Sequence, residues 1–182
     1  ITDMRGSIIL ERRVSKITIE NNRAVSVTIT NKDGKQETLP CETLVSTMPV
    51  KDLVAACGDY FPPAIHQIAQ GLHYRDFITV RLLYKSSELT RQLHDNWIYI
   101  QEPGVNVGRV QIFNNWSPYM VAKPGTVWLG LEFFCTEGDR LWTLNEQDMI
   151  KLGCFEMHKI GLVSTLDALD SVVVHVPKAY PG

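Results

Sequence analysis

The 182-residue chain is 45% hydrophobic and 21% charged, close to the average for globular proteins, so it can bury a substantial core. Its formal charge of −2 supplies no basic field, which excludes general affinity for nucleic acid or for an anionic membrane surface. Any anionic ligand must be met by a few local Arg or Lys residues, and no apolar run approaches the roughly 20 residues that span a bilayer.

Residues 7 to 47 read as three successive strands. SIILERRVSKITIE alternates through Val14, Ile17 and Ile19, NNR turns, AVSVTIT alternates again, NKDGK supplies a hairpin connection, and QETLPCETLVSTM follows. The Asp33-Gly34 pair suits a tight turn because it favours positive φ. After Pro49, VKDLVAACG carries apolar residues at helical spacing and stops at Gly58, and PPAIHQIAQGL opens on Pro62 and Pro63 and stops at Gly71. Two short helices are expected there.

From Phe77 the period returns to two. FITVRLLYK, WIYIQ, RVQIFNN and TVWLGLEFF read as strands, broken by the turn signals Pro103-Gly104 and Lys123-Pro124-Gly125. TLNEQDMIKLGCFEMHKIGL reads as a helix over 143–162 with Thr143 as N-cap and Glu146 completing a capping box, and SVVVHVPKAYP is a last strand. The expected fold class is α+β: a three-stranded antiparallel meander plus a larger antiparallel sheet flanked by helices.

Several motifs are absent from the sequence. There is no GxGxxG or GxxxxGK[ST] phosphate loop, no GxSxG elbow and no HExxH pair. Gly138-Asp139 in CTEGDRLW is expected to be a turn rather than a cofactor contact, and the five histidines are scattered without a partner at catalytic spacing. Cys41, Cys57, Cys135 and Cys154 are spaced as reduced thiols rather than as zinc ligands or a disulfide framework. A cytoplasmic setting is the expectation. The start at ITDMRGSIIL without Met and the end at KAYPG read as the ends of a piece of something longer.

The polar chemistry concentrates at residues 97–119. Trp97 and Tyr99 are two apart on a strand and share a face, and Arg109 opens the next strand, so a hairpin would return it near them. Such a trio offers an aromatic wall, a phenolic hydroxyl and a guanidinium fork that matches phosphate or carboxylate oxygens. The other reading has the aromatic rings filling the core and Arg109 in solvent, with Asn114, Asn115 and Ser117 as turn residues before Pro118.

The stretch ERRVSKITIENNRAVSVTITNKDGKQETLPCETLVSTMP resembles the middle part of flavoproteins of the amine oxidase superfamily, which also holds protoporphyrinogen oxidase, phytoene desaturase and UDP-galactopyranose mutase. WIYI followed by GRVQIFNNWSPYMV is similar to the substrate-binding region of eukaryotic-type UDP-galactopyranose mutases. The resemblance implies a substrate-domain fragment of an FAD-dependent oxidoreductase or mutase. Residues 1–50 would be a meander belonging to an FAD-binding domain, 51–75 a helical connection and 76–182 a substrate-binding sheet domain. It implies that Val14 meets the FAD adenine through its backbone, that Arg109 and Tyr99 hold the diphosphate of a UDP-sugar, and that Trp97 lines the sugar pocket. The partners implied are a small-molecule substrate and the FAD-binding domain of the same chain. The dinucleotide fingerprint, the ribose-binding acid, the histidine loop next to the flavin and the later Gly-Asp segment of the family are not in this sequence. On that ground the segment alone is expected neither to hold FAD nor to turn over. An amine or protoporphyrinogen oxidase, and a sheet-based binding module without flavin, are the competing readings.

Overall fold

The structure is a computed structural model and describes residues 6–181. The chain divides into two compact units, residues 1–73 and 74–182.

The first unit is an antiparallel meander with two helices. Strands β1 (Arg13–Glu20), β2 (Arg23–Thr30) and β3 (Gln36–Pro40) lie in the order β1-β2-β3. Asn21 and Asn22 join β1 to β2 with φ of 50° and 61°, the left-handed pair that a two-residue hairpin needs and that Asn tolerates. Between β2 and β3 the Asn31 side-chain oxygen accepts from the backbone N–H groups of Asp33 and Lys35 at 3.0 and 2.8 Å. The third strand is shorter than QETLPCETLVSTM suggested: its ladder with β2 ends at Pro40, with one further backbone bond from the Cys41 N–H to the Val25 carbonyl at 2.9 Å. Helices α1 (Val50–Ala56) and α2 (Pro63–Gln70) follow. α1 packs on β1, and among the described residues of this unit the buried apolar ones are Ile17, Ile29, Val54, Ala56 and Ala69.

The second unit is a five-stranded antiparallel sheet. Strands β4 (Tyr74–Lys85), β5 (Trp97–Tyr99), β6 (Arg109–Ile112), β7 (Thr126–Cys135) and β8 (Asp170–Pro181) are ordered β5-β6-β7-β4-β8. RVQIFNN stops being a strand at Ile112, and Phe113–Trp116 forms a single helical turn, α3. Asn114 explains the switch: its amide donates to the Thr126 carbonyl at 2.9 Å and accepts from the Trp128 N–H at 3.1 Å. A side chain thereby replaces the backbone as partner of β7. Asn115 likewise donates to the carbonyls of Leu93 and Asp95.

One face of this sheet is the core. Ile78, Val80, Leu82 and Tyr84 of β4, Val110 and Ile112 of β6, and Leu129, Leu131 and Phe133 of β7 form a buried cluster with Met149, Cys154 and Met157 of α4 (Glu146–Lys159). A Cβ on Gly153 would stand 3.1 Å from Leu131 and 3.2 Å from Val80, so the missing side chain lets α4 approach the strands closely. The helix starts later than 143. Asn145 is the N-cap, its side-chain oxygen accepting from the Asp148 N–H at 2.9 Å. Thr143 instead donates its hydroxyl to the carbonyls of Asp139 and Arg140 in the preceding turn. All four cysteines are free thiols, and burial, reinforced by the nearby carboxylates of Asp139 and Asp76, pushes Cys135 up to about 11.

Asp76, 7% exposed, ties β4 to two bends. Its oxygens accept from the backbone N–H of Glu137 and of Lys178, each at 2.7 Å, the latter residue sitting at a φ of 53°. Replacing it with Ala strands both donors. Since each unsatisfied buried group costs roughly 1–3 kcal/mol, Asp76→Ala is expected to lower the unfolding free energy by about 3 kcal/mol, and urea titration of the two proteins checks this.

Candidate functional site

The sheet face opposite α4 holds the side chains that alternate away from the core. Register places Tyr99 opposite Arg109 and Trp97 opposite Gln111 across β5 and β6. Arg109 then faces Glu132, and Gln111 faces Gly130, across β6 and β7. The hairpin does bring the three sequence candidates together. The guanidinium carbon of Arg109 is 5.9 Å from the Trp97 ring centre and 5.7 Å from that of Tyr99, within the range of cation–π attraction. Its Nη1 donates to the Tyr99 hydroxyl at 3.4 Å. Trp97 also packs against Trp116, with ring centres 5.2 Å apart. Neither aromatic is core, since Trp97 is 44% and Tyr99 60% exposed.

Glu132 is the residue that sequence reasoning missed. It lies mid-strand in β7, 1% exposed, and Oε2 accepts from Arg109 Nε at 2.8 Å and Nη2 at 2.5 Å. Gln111 donates to Oε1. A carboxylate so deeply desolvated must be paired, and the alternation of β6 delivers two donors to it. Partial burial works against the charge of Arg109, but its hydrogen bonds and charge pairing with Glu132 and Tyr99 outweigh that and hold it above its ordinary value. The signal was present: Glu132 is the one charged residue in TVWLGLEFFC, on the face of that strand opposite Leu131 and Phe133. Gln111, two residues beyond Arg109, shares its face.

The loop before Arg109 is pinned from below. Glu156 of α4, 1% exposed, accepts from the Asn106 backbone at 2.8 Å and its side-chain amide at 2.7 Å through Oε1, and from the Val107 N–H at 2.8 Å through Oε2. Lys159 adds a bond to the Gly104 carbonyl at 2.7 Å. The start of β6 is therefore set by the helix on the other side of the sheet.

Val14 lies in the first unit, in β1, which is an edge strand of its sheet. The ladder with β2 skips Ser15 between Val14 and Lys16, so the strand is irregular beside Val14, and an edge strand presents unpaired backbone groups. Gly138-Asp139 is a turn: the Asp139 carboxylate accepts from the Thr136 and Trp142 N–H groups, each at 2.9 Å. Among the described residues no group of His, Cys, Asp or Glu could hold a metal ion, and no helix is long and apolar enough to cross a membrane.

No protein-family model and no curated protein matches the chain. Among solved structures it is similar to a reduced UDP-galactopyranose mutase, with a TM-score of 0.57 and 23% identity over 85% of this chain and 33% of that one. An Exiguobacterium protein assigned as a protoporphyrinogen oxidase has a TM-score of 0.57 and 13% identity over 93% of this chain and 35% of its own. A putrescine oxidase bound to putrescine has a TM-score of 0.52 and 11% identity over 89% and 33%. At these identities the likeness establishes the fold, and the chain spans about a third of the length of these proteins.

The Arg109–Glu132 pair is asymmetric: the side chain of Arg109 is 23% exposed and that of Glu132 only 1%. Removing the arginine abandons a buried carboxylate, so Arg109→Ala is expected to cost about 3 kcal/mol. Glu132→Ala is expected to cost less, because the freed guanidinium can reach water; urea midpoints of the two variants give the order. Asp139 offers a pH test. The backbone N–H groups of Trp142 and Thr136 hold its carboxyl below the ordinary carboxylate range. Its contribution is therefore present above that range and is lost as the pH falls through the lowered value. Asp139→Asn should narrow the stability difference between about pH 7 and about pH 3, measured by urea unfolding at both.

Proposed function

We propose that the chain is the substrate-facing segment of a longer flavin-dependent enzyme, and that Trp97, Tyr99 and Arg109 hold a nucleotide sugar. The observation that carries this reading is the convergence of one guanidinium with two half-exposed aromatic rings on an open sheet face. The rings supply stacking surface for a sugar or base. The remaining edge of the guanidinium, beside the Tyr99 hydroxyl, supplies directional donors for phosphate oxygens.

The fold likeness to a UDP-galactopyranose mutase, a protoporphyrinogen oxidase and a putrescine oxidase leaves the choice of substrate to the site itself. A protonated amine seeks an open carboxylate and is repelled by a guanidinium such as that of Arg109 beside the two rings. Glu132 is closed to it, because Arg109 and Gln111 occupy its oxygens and it is 1% exposed. That favours an anionic ligand over a cationic one.

FAD is the cofactor this reading requires, and it supplies the bond-making and redox chemistry when bound. Of its contacts, this chain offers the backbone of β1 at Val14, an edge strand with a broken ladder, which suits a flat heterocycle that reads backbone donors and acceptors. The sequence holds no glycine-rich pyrophosphate loop, so the rest of the cofactor must be held elsewhere. The task of Trp97, Tyr99 and Arg109 is to bind and orient the nucleotide sugar.

The test is calorimetric titration of UDP into the flavin enzyme that carries this segment. Arg109→Lys keeps a charge for Glu132 but loses the fork, and a loss of at least tenfold in affinity is expected, with a smaller loss in Tyr99→Phe. Undiminished UDP binding by folded Arg109→Lys and Arg109→Ala variants would refute the nucleotide-sugar role.

A further inference from the structure

The same sheet face carries a second guanidinium in a different setting. Arg81 of β4 lies opposite Gly130 of β7 and Val172 of β8. From the register it sits two strands and two residues from Arg109, about 12 Å between Cα atoms at ordinary sheet spacings. Its guanidinium carbon is 5.3 Å from the centre of the Phe113 ring. That ring occupies the space a side chain at position 130 would take, since a Cβ on Gly130 would lie 2.8 Å from it. Arg81, Phe113, Met120, Trp128 and Val172 line a cavity of about 290 Å3.

The two arginines differ in charge balance. Arg109 is neutralised by Glu132, whereas Arg81 makes no ion pair among the described residues. A guanidinium held over a ring face draws on the ring's negative potential and keeps N–H donors for acceptors. The other walls, two aromatic rings, a thioether and a valine, carry no charge. Met120 and Val172 are 51% and 42% exposed, so the cavity is open to a ligand from solvent, and its volume stands just below the usual range for small-molecule sites.

We infer that this cavity is a binding subsite for an amphipathic anion: a single carboxylate, sulfonate or phosphate group on the edge of Arg81, with a flat apolar body against Trp128, Phe113 and Val172. One unpaired cation matches one negative charge. The inference concerns the sheet unit alone and stands whether or not Arg109 binds a nucleotide.

The probe is 8-anilinonaphthalene-1-sulfonate, one sulfonate on a fused aromatic body, and its control is N-phenyl-1-naphthylamine, a similar body without the charge. Saturable one-to-one binding of the sulfonate with quenching of tryptophan fluorescence is expected. Arg81→Gln should weaken the sulfonate at least tenfold and change the neutral dye less than twofold, while Arg81→Lys should recover part of the loss. Arg109→Lys, which disables the nucleotide reading, should leave sulfonate binding unchanged. The inference is overturned if the wild-type protein does not bind the sulfonate, or if Arg81→Gln binds it as well. It is equally overturned if Arg81→Gln loses both dyes in parallel, the mark of an arginine that merely props Phe113, or if Arg109→Lys rather than Arg81→Gln abolishes binding.

Discussion

A carboxylate shut away from water in the middle of a strand organises this sheet. Glu132 is 1% exposed, and so large a desolvation is tolerable only if both oxygens are met by good donors. Arg109 takes one and Gln111 the other. Those donors are two residues apart in β6, so both must point to the open face, and the register that sets Arg109 opposite Glu132 leaves Val110 and Ile112 facing the core. A one-residue slip would bury Arg109 among apolar side chains and orphan Glu132. The short strand β5 inherits that register. Tyr99 falls opposite Arg109 and Trp97 opposite Gln111, and both rings arrive beside a guanidinium already held in place.

The hairpin is fixed from both sides. Above the sheet Glu132 grips Arg109; below it Glu156 of α4 grips the backbone of Asn106 and Val107. The two buried glutamates fix adjoining stretches: Glu132 the side chains of Arg109 and Gln111 in β6, and Glu156 the N–H groups of Asn106 and Val107 and the Asn106 amide just before it, in the loop from β5. A loop of that length would otherwise sample many conformations. α4 reaches it because Gly153 lets the helix lie close on Leu131 and Val80, so the packing of the core face governs the geometry of the open one.

Much of this was legible in the sequence. Period-two alternation and the turn residues Asn21-Asn22 and Gly34 mark the meander, and the Pro and Gly boundaries mark α1 and α2, because those signals act over a few residues and do not depend on distant partners. The convergence of Trp97, Tyr99 and Arg109 was readable for a similar reason: a hairpin is the simplest connection between two adjacent strands. What was not readable depends on contacts across the sheet. Glu132 sits in an apolar run, and only its pairing with β6 turns it from a flaw into an anchor. β6 ends where Asn114 bonds to β7 in place of backbone, a choice invisible without knowing that β7 lies there. The start of α4 moved from Thr143 to Asn145 because the hydroxyl of Thr143 was taken by the Asp139 turn, a competition that a capping pattern cannot weigh.

The Arg109–Glu132 pair also determines what kind of binding this face can offer. A guanidinium held by two bonds to one carboxylate has already lost its rotamer freedom on folding, so a ligand that uses it pays little of that entropy again. In exchange its charge is largely cancelled, and what remains for a ligand is the direction of its free N–H edge rather than a long-range field. Arg81 is the opposite case, with its charge unpaired and only a ring to orient it. One arginine can read the geometry of an oxygen-bearing group while the other supplies net charge in apolar surroundings. With an overall charge of −2 and no basic field to recruit anions, a face that bound ligands in the two ways proposed above would gain a selectivity that a cluster of bare cations does not provide.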